Sequence, residues 1–462
     1  MSGIERGIES EHRVELSLAD LRRCFEGVVP AVIATAGADG TPNVTYLSKI
    51  RVVDDRHVAL SNQFFSKTSK NLVENPRASV LAIDPADYEE YRLLLEYERH
   101  ERRGPVFDQM RRDVDELAAL SGMQDVFALR GADIYRVVAV ERIPRSGRRV
   151  PRPYDAVVPT APGVGGLAEL SLRLGRCPDL DTLVDTAVTG VGDLLGYEHA
   201  ILLLVDEAEE RLFTIAAHGF AGEGIGSEVV IGEGAVGVAA ARRSPTRIGN
   251  LRQMSKYSES VRRSAAGIGP GHELPVPRLP EVQSRLAVPA LALGSLVGVL
   301  VVESTTAAAF TEDDEAVLTV VATMVAGAVE VERAQEADGE GHRSSIREPV
   351  SPEGAVHQVR FFPVDGSTFL DGEYLIKGVA GRILWALLGH HQREGRVDFT
   401  NREVRLDPSL ELPEYRDNLE SRLILLKRRL DERAAPVRIE KTGRGRFRLV
   451  VDGRLRLDEG AG

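Results

Sequence analysis

Residues Ser66 to Leu81, SKTSKNLVENPRASVL, pose the question on which the reading of this chain turns. A polar turn bearing Lys67 and Lys70 runs into a short helical segment, NLVEN, breaks at Asn75-Pro76 and gives way to an apolar strand. The first amides of a helix lack intrahelical partners and sit at the positive end of its dipole, so hydroxyls and ammonium groups there suit a phosphate. A solvated surface connection uses the same residue types. On residue types alone, both readings stand open.

Composition narrows the classes. At 462 residues the chain exceeds one comfortable core, and roughly two to four domains are expected. Hydrophobic content of 43% and charged content of 28% describe an ordinary globular protein. A formal charge of -12 argues against a chain that coats nucleic acid along its whole length, though it leaves room for a local basic patch. Cys24 and Cys177 are far apart and form no CxxC, which excludes a cysteine-rich zinc site and suits a reducing compartment. MSGIERGIESEHR lacks the apolar centre of a signal peptide, and the most apolar runs are short or broken by Pro, Gly and Ser. A cytoplasmic protein without a membrane span is expected.

Two polar stretches divide the chain, residues 145–166, rich in Pro, Gly and Arg, and residues 333–354. The block 16–144 reads as β-rich: VVPAVIATAG, TPNVTYLSKIRVVDD, HVALSN, ASVLAID and DIYRVVAVERI are strand-like. DYEEYRLLLEYERHERRGPVFDQMRRDVDELAALSG, before the last of these, reads as helical. Short strands with helices among the late ones predict a small barrel. The block 167–332 alternates two amphipathic helices, a strand pair about DEAEER, a second hairpin about Gly294-Ser295, and a terminal helix opened by Thr311 and Asp314. Gly232, Gly234 and Gly237 permit a tight turn into a short helix, and Ser255 to Gln283 reads as an irregular lid. The block 355–457 runs from short strands through helices to a basic hairpin, the order of a winged helix-turn-helix. The expected fold class is therefore multidomain α+β: a split β-barrel, an α/β/α sandwich and a winged helix-turn-helix.

Within the first block, NVTYLSK, VALSN and SKTSKNLVENPRASV follow one another in order. The run from Pro42 to Asp84 resembles the FMN-binding split-barrel family, the pyridoxamine phosphate oxidase-like proteins. The resemblance implies a homodimer with FMN at the subunit interface. By position, Lys49, Ser61, Asn62, Lys67 and Thr68 would contact the flavin or its phosphate, with Lys70 and Asn71 in support. Thr68 stands where the vitamin-processing oxidases carry a second basic residue, and their C-terminal arginine segment has no counterpart before Pro144. Synthesis of pyridoxal phosphate is therefore not expected. His57 and His100 read as lone surface or helix histidines rather than as an acid or base.

TIAAHGF, VVIGEGAVGVAAARRSPTRIGNL, SRLAVPALALGSLVGVLVVES and AFTEDDEAVL in the second block resemble GAF domains, which sense small molecules. Cys177 matches no bilin-attaching position, the Asn-Lys half of the cyclic-nucleotide motif is missing, and His218 and His272 read as satisfied or exposed rather than as haem ligands. DGEYLIKGVAGRILWALLGHHQREGRV and RIEKTGRGRFRLVV resemble the winged-helix effector domain of response regulators. In that resemblance LESRLILLKRRL is the recognition helix. Arg422, Lys427, Arg428 and Arg429 would reach the groove or its phosphates, and Lys441, Arg444, Arg446 and Arg448 would line a basic wing. Leu425 occupies a position that the family often makes polar, and Gly443 and Gly445 fall one place early relative to Phe447.

Together these readings imply a cytoplasmic, dimeric one-component regulator, with flavin and GAF modules as input, a small-molecule ligand and DNA as partners. An FMN-dependent oxidoreductase with regulatory domains, and an interaction scaffold with vestigial pockets, are the alternatives.

Overall fold

The computed structural model describes residues 16–25, 31–63, 66–84, 89–121, 129–143, 163–206, 210–220, 224–249, 251, 279, 281–337, 355–410, 419–443 and 445–460. His272, Arg444, nearly all of the expected lid and most of the two expected linkers lie outside them, while the end of the first linker and the start of the second are helical, at Val164–Leu174 and Glu312–Ala337. The chain divides into two compact units, one of Met1–Pro159, Arg247–Ala266 and Thr306–Ala309, the other of Thr160–Thr246, Gly267–Thr305 and Phe310–Gly462.

The first unit begins with α1 (Arg22–Phe25), β1 (Ala31–Ala36), β2 (Pro42–Leu47), β3 (Ile50–Asp54), β4 (His57–Asn62) and α2 (Ser66–Glu74). It continues with β5 (Arg77–Ile83), β6 (Glu90–Glu101), α3 (Pro105–Ser121) and β7 (Gly131–Arg142). The strands form one seven-stranded sheet in the order β2-β1-β5-β6-β7-β4-β3. At β4 and β7 both faces of the sheet are covered, one of them by Met110 and Val114 of α3, while strict alternation of buried and half-buried residues along β1 turns one face to the main core. Ile33, Leu60, Leu93 and Tyr135 meet there, each fully buried.

The helical expectation for the segment before β7 holds only for its second half. Residues Glu90–Glu101 are a strand paired along its length with β5 and β7. Tyr91, Leu93, Leu95 and Tyr97 recur at period two and pack on one core, so sheet burial overrides local helix propensity. The helix starts only at Pro105, directly after Gly104 in a positive-φ conformation.

The second unit opens with α4 (Val164–Leu174) and α5 (Leu180–Asp193), whose N-cap Asp179 accepts from the Thr182 amide. Next come β8 (His199–Asp206), β9 (Arg211–His218), β10 (Glu228–Val230), α6 (Gly234–Arg242) and β11 (Thr246–Ile248). Then follow β12 (Ser284–Ala292), β13 (Ser295–Ser304) and α7 (Glu312–Ala337). The sheet order is β10-β9-β8-β13-β12-β11. The glycine turn forms as the sequence suggests: Gly232 and Gly234 have positive φ, and a Cβ on Gly237 would lie 2.2 Å from the Val230 carbonyl oxygen. Thr311 and Asp314 cap α7 reciprocally.

The rest of that unit contains β14 (Val356–Phe362), β15 (Ser367–Leu370), β16 (Glu373–Ile376), α8 (Gly378–Glu394), β17 (Asp398–Thr400) and α9 (Asn401–Arg405). It closes with α10 (Leu419–Glu432), β18 (Val437–Gly443), β19 (Arg446–Val451) and β20 (Arg454–Glu459). β20, absent from the sequence reading, returns to pair in parallel with β14, while β17, β19 and β18 form a separate three-stranded sheet. Phe361 stacks on Trp385 at 5.0 Å between ring centres and ties the first of these sheets to α8.

Because β6 is a strand, Leu93→Ala is expected to lower unfolding stability by about 2–5 kcal/mol, and Leu94→Ala, on the outer face, by clearly less. Paired urea melts of the two variants measure the difference.

Candidate functional site

The end of β4 and the first turns of α2 place six of the seven expected flavin residues close together in sequence, and Lys49 lies across the strand pair from Ser61. The Lys49 amide donates to Ser61 Oγ at 3.0 Å, and Lys49 Nζ donates to the Phe25 carbonyl at 3.0 Å. Thr68 Oγ1, buried, accepts from Asn43 Nδ2 at 2.9 Å, and Asn71 Nδ2 donates to Thr35 Oγ1 at 3.2 Å. Asn62 Nδ2 donates to Asp133 Oδ2 at 2.9 Å and to Ser69 Oγ at 3.3 Å. Five of the expected side chains are thus engaged within the fold, and Lys67 and Lys70 are exposed.

Gln63, immediately beyond β4, went unnoticed in the sequence. It is 3% exposed; its carbonyl oxygen accepts from Ser48 Oγ at 2.6 Å, and its Nε2 has no hydrogen-bond partner among the described residues. A buried unmet donor costs roughly 1–3 kcal/mol. An orphan donor, two exposed ammonium groups and a helix N-terminus are chemistry that suits a phosphorylated, polar-edged cofactor such as FMN.

His100 and Asp133 form a second cluster here. His100 lies on a strand, not a helix. Its Nε2 accepts from Arg102 Nε at 3.1 Å, which leaves Nδ1–H to donate to Asp133 Oδ1 at 2.5 Å. Burial pushes the Asp133 carboxyl up, against the opposing pull of His100 and Asn62. The ring covers Gly131 so closely that a Cβ there would lie 2.0 Å from it. The sequence signal was an aspartate and a glycine inside the apolar run GADIY; the pairing itself depends on β6 and β7 being neighbours. Neither His57 nor His100 is lone, since His57 Nδ1 pairs with Asp54 at 2.8 Å.

In the second unit His218 packs on α5, its Nε2 2.4 Å from where a Cβ on Gly192 would stand. The opposite side of the sheet carries an apolar cluster of Leu203, Leu212, Val236, Ala239 and Val299. Among the described residues no group of His, Cys, Asp and Glu is arranged to hold a metal ion, and no helix is long and apolar enough to cross a membrane.

The basic residues of α10 do not project into solvent as an exposed recognition face would. Arg429 is fully buried; its Nε donates to the Leu375 carbonyl at 2.8 Å and its Nη1 pairs with Glu432 at 2.6 Å, so it ties α10 to β16. Arg422, 3% exposed, pairs with Asp206 at 2.5 Å and lies over the Phe213 ring at 4.7 Å. Lys427 and Arg428 both reach Asp181, at 2.8 and 2.7 Å. Burial opposes the Asp181 charge, but these two cations hold its carboxyl below the usual range. Lys441 spans Glu420 at 3.0 Å and Asp179 at 3.2 Å, and Arg448 pairs with Asp398 at 2.7 Å. Arg446 is exposed on β19.

His100→Ala, which strands the buried Asp133 with Asn62 as its remaining charge-stabilising partner in this cluster, is expected to lower stability by about 1–3 kcal/mol, and His100→Gln by less. Thermal melts of both variants check this.

A family model described as Pyridoxamine 5'-phosphate oxidase matches residues 18–137, and one described as GAF domain matches residues 179–329. An uncharacterized protein of Methanocaldococcus jannaschii is 39% identical over 57 residues, which are 12% of this chain and 38% of that protein. The chain thus spans well under half the length of that curated relative. Among solved structures, the GAF domain of an Acinetobacter phosphoenolpyruvate-protein phosphotransferase is 21% identical, with 37% of this chain and 94% of that one covered and a TM-score of 0.32. An FMN-binding protein of Syntrophomonas wolfei is 15% identical, with 26% and 80% covered and a TM-score of 0.23. At these TM-scores neither likeness carries an argument. The two family matches establish that the chain carries a pyridoxamine phosphate oxidase-like N-terminal domain followed by a GAF domain.

Proposed function

We propose that this protein is a one-component transcriptional regulator that binds FMN in its N-terminal split barrel, senses a small molecule or redox state there and in its GAF domain, and binds DNA through a C-terminal winged helix. Residues 16–144, 167–332 and 355–457 are the three domains of this reading. The observation that carries the flavin part is the buried, unpartnered Gln63 Nε2 beside the N-terminus of α2. Lys67 and Lys70 would hold the phosphate, while Thr68, Asn71 and Asn62 brace the helix that presents it. Val44 and Tyr46, 64% and 73% exposed on one face of the edge strand β2, support a homodimer, since a second copy would cover them. Cys24 and Cys177, which form no disulfide, suit the cytoplasm.

The order α8, α9, α10 and then the hairpin β18–β19 supports the winged-helix assignment. Arg446, exposed on the hairpin, would meet phosphate, with Lys441 and Arg448 alongside. The chemistry that FMN supplies when bound is transfer of electrons or hydride. His100 with Asp133, next to Asn62, favours a second reading, an FMN-dependent oxidoreductase in which His100 holds a proton near the flavin site.

Purified protein mixed with excess FMN and desalted is expected to keep about one flavin per chain by absorbance, and Lys67→Ala with Thr68→Ala to keep much less; a colourless protein sinks the flavin assignment. Turnover of a reduced nicotinamide donor distinguishes the enzyme from the sensor. Arg446→Ala should weaken binding to duplex DNA and lower its salt slope by about 1. An unchanged slope removes the wing from the interface.

A further inference from the structure

α10 carries Arg422, Lys427, Arg428 and Arg429, yet of its 14 residues only Asp431 is exposed. An amphipathic helix ordinarily buries one stripe and leaves its charged side in water. Here Leu426, Arg429 and Leu430 pack into the C-terminal block, and the other side is covered by the GAF domain. The cover is acidic. Asp181 and Asp185, one turn apart on α5, both take Arg428, and Asp181 also takes Lys427. Asp206 at the end of β8 takes Arg422, and Asp179, the N-cap of α5, takes Lys441. Arg428 Nη1 also donates to the Ile215 carbonyl of β9 at 2.9 Å.

We propose that this acidic face of the GAF domain is an intramolecular stand-in for nucleic acid, which holds α10 closed so that duplex DNA binds only after the two domains separate. This rests on the DNA-binding reading given above. Row for row, carboxylates occupy the cations that phosphates would take, so the two occupants exclude each other. Release is affordable because buried ion pairs come close to break-even against hydration of the separated charges. β9 links the contact to the sensing side of the sheet: Phe213 lies under Arg422, while its neighbour Leu212 belongs to the apolar cluster against α6. Whatever changes that cluster acts on a strand that also holds the closure, and by linkage DNA and the GAF ligand then influence each other's affinity equally.

A carbodiimide joins a carboxylate to an ammonium group in direct contact, and Lys427 Nζ stands 2.8 Å from Asp181 Oδ2. In the full-length protein we expect a Lys427–Asp181 cross-link, mapped by mass spectrometry of peptides. The cross-linked fraction should fail to bind a mixed-sequence duplex at low ionic strength. Asp185→Lys, at a side chain 62% exposed and so tolerant of change, should reduce the cross-link and raise duplex affinity by about tenfold. Asp181→Asn should shift affinity the same way, and Asp185→Lys treated with the same reagent controls for general carboxylate modification. Absence of the cross-link in the wild type, or equal duplex affinity of wild type and Asp185→Lys, overturns the masking. A cross-link that forms in a protein whose wild-type and opened forms both ignore the duplex overturns the DNA-binding reading beneath it.

Discussion

A charged side chain leaves water only if another charge meets it, and the second compact unit is organised by that constraint. α10 buries Arg422 and Arg429, holds Lys427 and Arg428 partly covered, and each has found an answering oxygen: Asp206 for Arg422, Asp181 for Lys427 and Arg428, and the Leu375 carbonyl with Glu432 for Arg429. Two of those partners, Asp181 on α5 and Asp206 on β8, come from the GAF domain and answer three of the four cations. The fold of each domain decides where its charges stand, and the charges decide which faces can meet. A helix that reads in isolation as an exposed basic surface thereby becomes an internal element.

The first unit obeys the same rule at a smaller scale. Asp133 is buried in the middle of a sheet and is kept tolerable by His100 on one oxygen and the Asn62 amide on the other. Asn62 in turn reaches Ser69 on α2, so the buried carboxylate, the end of β4 and the helix that begins the candidate phosphate clasp form one hydrogen-bonded chain. Gln63, next along, breaks the pattern of satisfied polar groups. An unmet buried donor beside a well-braced helix end is where an absent partner would fit, and it lies in the domain that the pyridoxamine phosphate oxidase family matches.

Much of the architecture was legible in the sequence, for a local reason. Alternation in AVIATA and RASVLAI, the glycine turn before α6, and the Thr311–Asp314 cap are each set by residues within a few positions of one another. The order and spacing of NVTYLSK, VALSN and SKTSKN, and of the GAF segments, pointed to the two families that were then matched. The segment from Glu90 to Glu101 misled because Tyr, Leu and Glu residues satisfy a helical period as well as a strand one, and only its neighbours β5 and β7 choose between them.

What the sequence by itself determined is therefore most of the local elements and the two family-matched domains, since these follow from backbone preference, apolar period and the order of short motifs. The tertiary structure alone decided the pairings between distant charges. His100 and Asp133 are 33 positions apart, and Lys427 and Asp181 are 246 apart. No local pattern encodes such a meeting; it exists only once sheets and helices have packed, and in a low-dielectric interior it determines which cations are free to act and which are already spoken for.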